Sequence, residues 1–287
     1  MPVVGRISEV WRYAVKSMGG ERLQRCEVGP CGVVGDRGWA LRDEKAGEIR
    51  GAKKLPGLLR CAARYLSEPE VGAIPPAEIT LPGGARLHSD DPAAATRLSD
   101  LLGRAVTLWP RQPETATDHY RRAAPDNPDF MAELRAIFGR TADEPLPDLS
   151  VFPPEIMEYT SPLGTYFDAF PVHLLTTASL AKLQRDNTSA RFDVRRFRPN
   201  FLIDTAADVA GLIETTWSGK TLHIGTAKVK VEMPCVRCVM TTLPQGDLPA
   251  DASVLRTIVR DAAQNLGAYG TVVIAGTIAV GDVVELE

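Results

Sequence analysis

The segment from residue 229 to 245, VKVEMPCVRCVMTTLPQ, starts as a strand and then supplies two cysteines. Its first residues alternate between apolar and charged side chains, which predicts a strand with one buried face. Pro234 has no backbone N–H, so we expect the hydrogen-bonded ladder to end there. Cys235 and Cys238, with Arg237 between them, would then lie where rigid scaffolding meets a loop, and functional sites are commonly built in such places.

Short segments of strand character run through most of the chain, and helical patterns are few. Many short strands with so few helices favour a β-rich barrel of the α+β class over a doubly wound sheet. The predicted strands are Val3–Arg12, Arg25–Val28, Leu59–Tyr65, Glu78–Leu81, Arg104–Trp109, Val172–Leu175, a hairpin over Leu222–Met233 that turns near Gly225, and two strands around Gly276.

Apolar stripes with start and stop residues predict the helices. The predicted helices and their end signals are Pro92–Leu102 between Asp91 and Gly103, Pro128–Phe138 after Asn127, one that begins at Thr176 or Thr177, and Ala252–Leu266 before Gly267. The polar, proline-rich segment around the second helix predicts an ordered excursion or lid, with disorder as the open alternative. We therefore expect an N-terminal barrel-like subdomain over 1–110, a helical excursion over 111–165 and a core domain over 166–287.

Charge and hydropathy exclude several classes of function. The net charge is −3, so no global basic field attracts nucleic acid or an acidic membrane. No apolar run approaches the ~20 residues of a membrane span, and the N-terminus lacks a signal-peptide pattern. Five cysteines in 287 residues do not resemble a secreted disulfide framework. These features predict a cytoplasmic protein that binds neither membrane nor nucleic acid.

Spacing alone leaves several chemistries open for the cysteine pair. Cys26 and Cys31 could complete a four-cysteine zinc site with Cys235 and Cys238, although Cys26 is expected on a strand. A redox dithiol would need a helix after the pair, whereas residues 239–242 look extended. Two buried thiols acting as small hydrophobes are the simplest alternative. The remaining hypothesis is a thiolate ligand for a metal centre.

Four motifs carry a resemblance to a known family. PCVRCVMTT resembles the cysteine motif of the MOSC domain, named for the C-terminal domain of molybdenum cofactor sulfurase. RYAVKSMGG, GDRGWAL and RFRPN resemble the family's other motifs and occur in the family's order, although Ala14 stands where the first motif has proline. The chain is therefore similar to MOSC proteins over nearly its whole length, and to their amidoxime-reducing branch in particular. The resemblance implies an N-terminal barrel-like subdomain packed on the MOSC barrel, with molybdopterin-bound molybdenum between them.

The resemblance also implies roles for individual residues. Cys238 would be the thiolate ligand of molybdenum, which suits a soft, redox-active metal. Asp168 falls where the family has an acidic residue near metal and substrate, and it would relay protons. Lys16, Ser17 and Arg37 would hold the pterin's phosphate. The other residues expected to bind the cofactor are Arg198, Asn200, Arg237, Thr176 and Thr177.

The family implies a molybdenum-dependent oxidoreductase that reduces N-hydroxylated small molecules. No flavin, haem or iron–sulfur motif is visible, so a separate reductase would supply the electrons. One alternative is a molybdenum cofactor carrier or sulfur-transfer protein, with a persulfide on Cys238 and a separate sulfur donor. Another is a specialised biosynthetic enzyme on the same fold.

Overall fold

The computed structural model describes all residues from Met1 to Glu287 and consists of many short strands with few helices. Its strands are β1 Val3–Arg12, β2 Glu21–Leu23, β3 Arg25–Gly29, β4 Gly32–Val33, β5 Trp39–Asp43, β6 Glu48–Arg50, β7 Ala62–Tyr65, β8 Ala77–Thr80, β9 Arg86–His88, β10 Val106–Pro110, β11 Val172–Thr176, β12 Phe201–Asp204, β13 Thr221–Ile224, β14 Ala227–Val236, β15 Asn265–Ile274, β16 Gly276–Ala279 and β17 Val283–Leu286. Its α-helices are α1 Pro92–Leu102, α2 Thr117–Tyr120, α3 Phe130–Phe138, α4 Glu155–Glu158, α5 Thr177–Asp186 and α6 Ala252–Asp261. The β-rich α+β class expected from the sequence is confirmed. None of these helices is both long enough and apolar enough to cross a membrane.

Seven strands close into a barrel in the order β12-β11-β15-β14-β13-β17-β1, and β1 pairs with β12 to complete the ring. Closure leaves no unpaired edge within the ring. The strands' inward side chains, such as Val10, Phe201, Leu222 and Val229, form one buried core. The alternation along β14 therefore has a direct cause, because its apolar side faces this core while its lysines face outward.

A second core lies under the smaller sheets β10-β5-β6 and β7-β8-β9 and includes Leu41, Leu58, Ile79 and Leu98. The two halves of the chain are interleaved, because β1 pairs with β17 and β3 pairs with β16. The first strands of the chain thus belong to sheets completed by its last strands. The boundaries at 110 and 165 stay a prediction.

Helix α1 forms where the sequence predicts it. The Asp91 carboxylate accepts a hydrogen bond from the backbone N–H of Ala93 at 2.8 Å, and Gly103 ends the helix with φ of +61°. Asp91 and Gly103 each act within one turn of a helix end, so the local sequence is enough to determine where the helix begins and ends. Among the strands, β1 keeps its predicted bounds, whereas β7 begins three residues after the predicted Leu59, because residues 56–60 form a 3₁₀ helix.

Two helix predictions were wrong at one end. Helix α3 begins at Phe130 with Asp129, not Asn127, as its cap, so Pro128 lies outside the helix. Helix α6 ends at Asp261, because Ala263 and Gln264 adopt left-handed backbone angles and β15 begins at residue 265. Tertiary pairing of β15 with β14 thus overrides the apolar period that continues beyond α6.

The cysteine segment departs from its prediction in two places. Strand β14 continues through Pro234, which lies opposite Ala268 between irregularities of the strand register. Proline is tolerated at such bulges because the ladder already lacks a hydrogen bond there. Residues 239–242 form a 3₁₀ turn rather than an extended segment, with Cys238 as its N-cap. The hydroxyl of Thr241 donates to the Cys238 carbonyl at 3.0 Å and so closes this turn.

Candidate functional site

The MOSC-like motifs meet in one cleft at one end of the barrel. β1 ends there before Ser17, β12 begins there after Asn200, and β14 ends there near Cys238. The predicted site residues that line this cleft are Lys16, Ser17, Arg37, Asp168, Arg198, Asn200, Arg237 and Cys238. Residues far apart in the chain are therefore brought together, whereas Thr176 and Thr177 are not.

The buried carboxylate of Asp36 joins three of the motifs. One of its oxygens accepts the backbone N–H of Tyr13 at 2.8 Å, and the other accepts the side-chain amide of Asn200 at 3.0 Å. The guanidinium of Arg37 pairs with the same carboxylate. Asp36 is 1% exposed, so none of these bonds competes with bulk water. It was absent from the predicted site, although it lies in the GDR motif immediately before Arg37.

Backbone strain is concentrated at this cleft. Outside glycine, only five residues have positive φ, and three of them line the cleft: Ser17 at +67°, Arg37 at +49° and Arg198 at +57°. Such conformations cost of order 1 kcal/mol each and persist where the surrounding structure requires them. They turn three polar side chains toward one space, which is what a preorganised binding site needs.

The two strained guanidiniums share one aromatic platform. The Arg198 guanidinium lies 4.1 Å from the Tyr13 ring centroid, and that of Arg37 lies 5.1 Å from it. The Tyr13 hydroxyl donates to the Pro199 carbonyl at 3.0 Å, which fixes the ring. Cation–π contact partly offsets the cost of bringing two buried cations together. This arrangement prepares positive charge before any ligand arrives.

Asp168 forms ion pairs with two lysines. The Lys16 ammonium lies 2.8 Å from one of its oxygens, and the Lys53 ammonium lies 3.2 Å from the other. Burial would raise the pKa of Asp168, but the lysines hold it well below its usual range. Its carboxylate therefore carries no proton near neutral pH. The ion pairs orient the two lysines, and the proton relay expected of Asp168 stays a prediction.

Two guanidinium nitrogens of the cleft have no partner. Nη2 of Arg198 and Nε of Arg237 are buried without a hydrogen bond. Arg198 otherwise donates to the Met18 carbonyl at 2.5 Å, and burial lowers its pKa to about 10, so it is charged at neutral pH. Unsatisfied buried donors are costly, and the buried nitrogens suit a ligand that accepts hydrogen bonds.

The two motif cysteines occupy different environments. Cys235 is 1% exposed, and its sulfur accepts a hydrogen bond from Arg237 at 2.8 Å. Burial raises the pKa of the Cys235 thiol. Cys238 is half-buried at the cleft surface, and its sulfur has no hydrogen bond. Of the two, Cys238 is the thiol with room for a ligand.

Two residues of the cleft were not among the predicted site residues. Lys53, which pairs with Asp168, belongs to no motif and gave no signal in the sequence. His173 lines the cleft, and its Nε2 lies 3.5 Å from Nη1 of Arg237. Burial lowers the His173 pKa to about 3, so the ring is neutral and can accept a hydrogen bond. Neither role follows from local sequence.

Thr176 and Thr177 have structural roles away from the cleft. Thr176 is the N-cap of α5, and its hydroxyl donates to the buried carboxylate of Glu214 at 2.7 Å. Thr177 donates to Asp204 at 3.0 Å. Their predicted contact with a pterin is therefore corrected, because neither residue lines the cleft and both hydroxyls are hydrogen-bonded elsewhere. The helix predicted to begin at Thr176 or Thr177 is confirmed, with Thr176 as its N-cap.

Glu214→Gln should change how stability depends on pH. Burial raises the pKa of Glu214 above its ordinary value of 4.5, so the folded protein holds this proton more tightly than the unfolded chain does. That stabilisation is present below the unfolded value and is lost as pH rises through the folded one. The unfolding free energy of the wild type should therefore fall relative to that of the variant as pH rises above 4.5. Urea titrations at a series of pH values below and above 4.5 measure this difference, and a difference that does not change with pH would contradict the expectation.

The zinc alternative does not survive in the folded chain. Cys26 lies on β3 and packs in the barrel core. No group of three or more histidine, cysteine, aspartate or glutamate side chains is close enough to hold a metal ion. A zinc site with four protein ligands is therefore excluded, whereas a metal that brings its own organic ligands needs fewer donors from the chain.

The donor set fits molybdopterin-bound molybdenum. The Cys238 thiol offers the kind of ligand that a soft metal prefers. Ammonium and guanidinium groups, with the Ser17 hydroxyl, suit a phosphate. The buried nitrogens of Arg198 and Arg237 that lack partners would gain acceptors from such a group. Asn200 already uses its amide on Asp36 and His173, so its part is to position rather than to bind.

Comparison with known proteins covers most of the chain. A family model described as the MOSC N-terminal beta barrel domain matches residues 4–102, and one described as the MOSC domain matches residues 164–285. Proteins named mitochondrial amidoxime reducing component 2 from Rattus norvegicus and Homo sapiens are 28% and 26% identical over 251 residues. Each alignment covers 84% of this chain and 67% of the relative.

Solved structures give more distant similarities. The YUAD protein from Bacillus subtilis is 8% identical, with a TM-score of 0.44, over 98% of this chain and 94% of that chain. YiiM from Geobacillus stearothermophilus is 16% identical, with a TM-score of 0.30, over 41% of this chain and 54% of that chain.

Proposed function

Because this chain belongs to the MOSC-domain family, we propose that it binds the molybdenum cofactor and is an oxidoreductase that reduces N-hydroxylated small molecules. The observation that carries the proposal is the half-buried Cys238 thiol at a cleft with buried, unpartnered guanidinium nitrogens. The relatives named amidoxime reducing components support the reaction class. The relatives are named mitochondrial, so the cytoplasmic location expected from the sequence remains a prediction.

When bound, molybdopterin-bound molybdenum would supply two-electron redox chemistry. Cys238 would be the protein's ligand to the metal, and Lys16, Ser17 and Arg37 would hold the phosphate. Arg198 and Arg237 would donate hydrogen bonds to the pterin from the nitrogens that have no partner in the protein. Asp36 would keep Arg37 in place, and Asp168 would keep Lys16 in place, through the ion pairs described above. Electrons would come from a separate reductase.

The first test is the metal and pterin content of freshly purified protein. We expect near-stoichiometric molybdenum by mass spectrometry and the fluorescence of oxidised pterin, because the preorganised cations bind an anionic cofactor without rearrangement. Such protein, supplied with a chemical electron donor, should reduce an amidoxime to an amidine. Pterin without metal would favour the alternative of a carrier with Cys238 as a persulfide site. If the protein is produced in a host that makes the cofactor and contains neither molybdenum nor pterin, the proposal is contradicted.

A further inference from the structure

One wall of the cleft is apolar and comes from the helical excursion. We call Phe138, Leu149, Phe152 and Ile156 the rim; all four line the cleft and are half-buried. None of them belongs to any of the hydrophobic cores of the protein. Helices α3 and α4 likewise bury no side chain completely. The rim therefore consists of apolar side chains without a core of their own, turned toward a concave site, as in small-molecule pockets.

The rim is attached directly to the cysteine segment. The Arg140 guanidinium donates to the Arg237 carbonyl at 3.0 Å and to the Gln264 side chain at 2.9 Å. Gly139, with φ of +63°, ends α3 so close to Val239 that an added Cβ would lie 3.2 Å from the Val239 Cα. The apolar wall thus borders the loop that carries Cys238.

Ion pairs hold the other side of the excursion. Lys54 pairs with Glu133 on α3, and Arg50 pairs with Asp126 at 2.7 Å. The excursion is therefore fastened to both halves of the protein. These attachments lie on either side of Phe138, and an ion pair between Arg256 and Glu144 fixes the chain between Phe138 and Leu149. The excursion is therefore held beside the cleft rather than carried on a free loop.

The chain around the rim is acidic. Residues 141–165 contain five carboxylates and no lysine or arginine. Asp143, Asp148 and Glu155 form no ion pair, and two of them are directly adjacent in sequence to the rim residues Leu149 and Ile156. Because Asp148 and Glu155 are next to rim residues in the chain, we expect their carboxylates to lie within about one Debye length of a ligand bound on the rim. A ligand with a negative charge on its outer end would be repelled, whereas a neutral or cationic one would not.

We propose that the rim binds the body of the substrate and selects N-hydroxylated bases with an apolar body and no negative charge. This inference rests on the proposed function. For an amidoxime the reaction is R–C(=NOH)NH₂ + 2e⁻ + 2H⁺ → R–C(=NH)NH₂ + H₂O. The N–O bond breaks, the oxygen leaves as water, and a low-potential reductase or chemical reductant supplies the electrons. The apolar group R lies on the rim, and the cationic amidine product leaves past the carboxylates.

The test compares matched substrates on the cofactor-loaded protein with a reduced viologen as donor. Benzamidoxime should have a kcat/KM about tenfold above that of acetamidoxime, because its phenyl ring buries more apolar surface. 4-Carboxybenzamidoxime should be several-fold poorer than benzamidoxime, because its carboxylate meets the acidic mouth. Equal kcat/KM values for all three would overturn the inference.

Variants locate the effect. Phe152→Ser and Ile156→Ser should each raise the KM for benzamidoxime about five- to tenfold and the KM for acetamidoxime much less, because a methyl group buries less apolar surface than a phenyl ring. Val151→Ser, at an exposed neighbour outside the cleft lining, is the matched control. Glu155→Gln should reduce the discrimination against the carboxylated substrate, whereas Asp118→Asn should not. Rim variants that leave the benzamidoxime KM at the wild-type value would overturn the rim's role.

Calorimetric titration of the same protein with benzamidine separates the two proposals. Benzamidine is the product and needs no electrons to bind. If no substrate turns over but benzamidine binds and Phe152→Ser weakens it about fivefold, the rim stands and the reductase proposal fails. If the variant binds benzamidine as the wild type does, the rim inference fails even where turnover occurs.

Discussion

Purified Cys238→Ser protein should contain less than about a tenth of the wild-type molybdenum. A serine hydroxyl stays protonated near neutral pH and is a hard ligand, so it cannot replace a thiolate on a soft metal. Cys238 is also the only one of the two motif thiols without a hydrogen-bond partner in the cleft. Mass spectrometry of metal per mole of protein, with circular dichroism as the check of folding, measures the effect.

Two other cysteines provide controls for this experiment. Cys235→Ser should cause partial loss of molybdenum at most, because a hydroxyl can still accept the hydrogen bond from Arg237. Cys31→Ser, at a half-buried position outside the cleft, should retain the metal. Molybdenum retained in Cys238→Ser, or lost equally from all three variants, would contradict the ligand assignment.

Asp36→Asn should lower the free energy of unfolding by roughly 3 kcal/mol or more. One carboxylate accepts from the Tyr13 backbone, from Asn200 and from Arg37, and this carboxylate is itself fully shielded from water. An asparagine amide would turn a donor toward donors and leave the guanidinium without its counter-charge. Urea unfolding measures the loss.

The same variant should also lose cofactor, because Arg37 and Asn200 would no longer be held at the cleft. Asp118→Asn is the matched control, since the Asp118 side chain is 98% exposed and only weakly paired. Its stability should stay within about 0.5 kcal/mol of the wild type. An Asp36→Asn protein as stable as this control would show that the carboxylate does not join the motifs energetically.

Local interactions explain which structural predictions succeeded. Helix α1 has both its cap and its stop within one turn of its ends, and the alternation of apolar and charged residues in β14 lies in its own consecutive residues. The element ends that were predicted incorrectly are set by contacts between residues far apart in the chain. Helix α6 stops early because β15 must pair with β14, and Pro234 remains within a strand because the register is already irregular there. The residues paired between β14 and β15 are 29 to 46 positions apart in the chain.

In the candidate site, too, some features could be predicted from the sequence and others could not. Arg37, Arg198 and Cys238 could be named from motifs, since each motif carries its chemistry in its own residues. The strained backbone that turns two of them inward is visible only in the folded chain. The ion pairs of Asp168 with Lys16 and Lys53 are likewise visible only in the folded chain, because they span more than a hundred residues.

Sequence by itself determined the β-rich class, the family and the chemical groups available at the cysteine motif. These depend on residue type, short-range period and motif spacing, which are all written along the chain. Tertiary structure alone decided that Asp36 joins three motifs, that Thr176 faces Glu214 and not the cleft, and that the excursion supplies an apolar wall beside Cys238. Those relations arise when the barrel closes, because closure brings together groups whose separation in sequence carries no information about their distance in space.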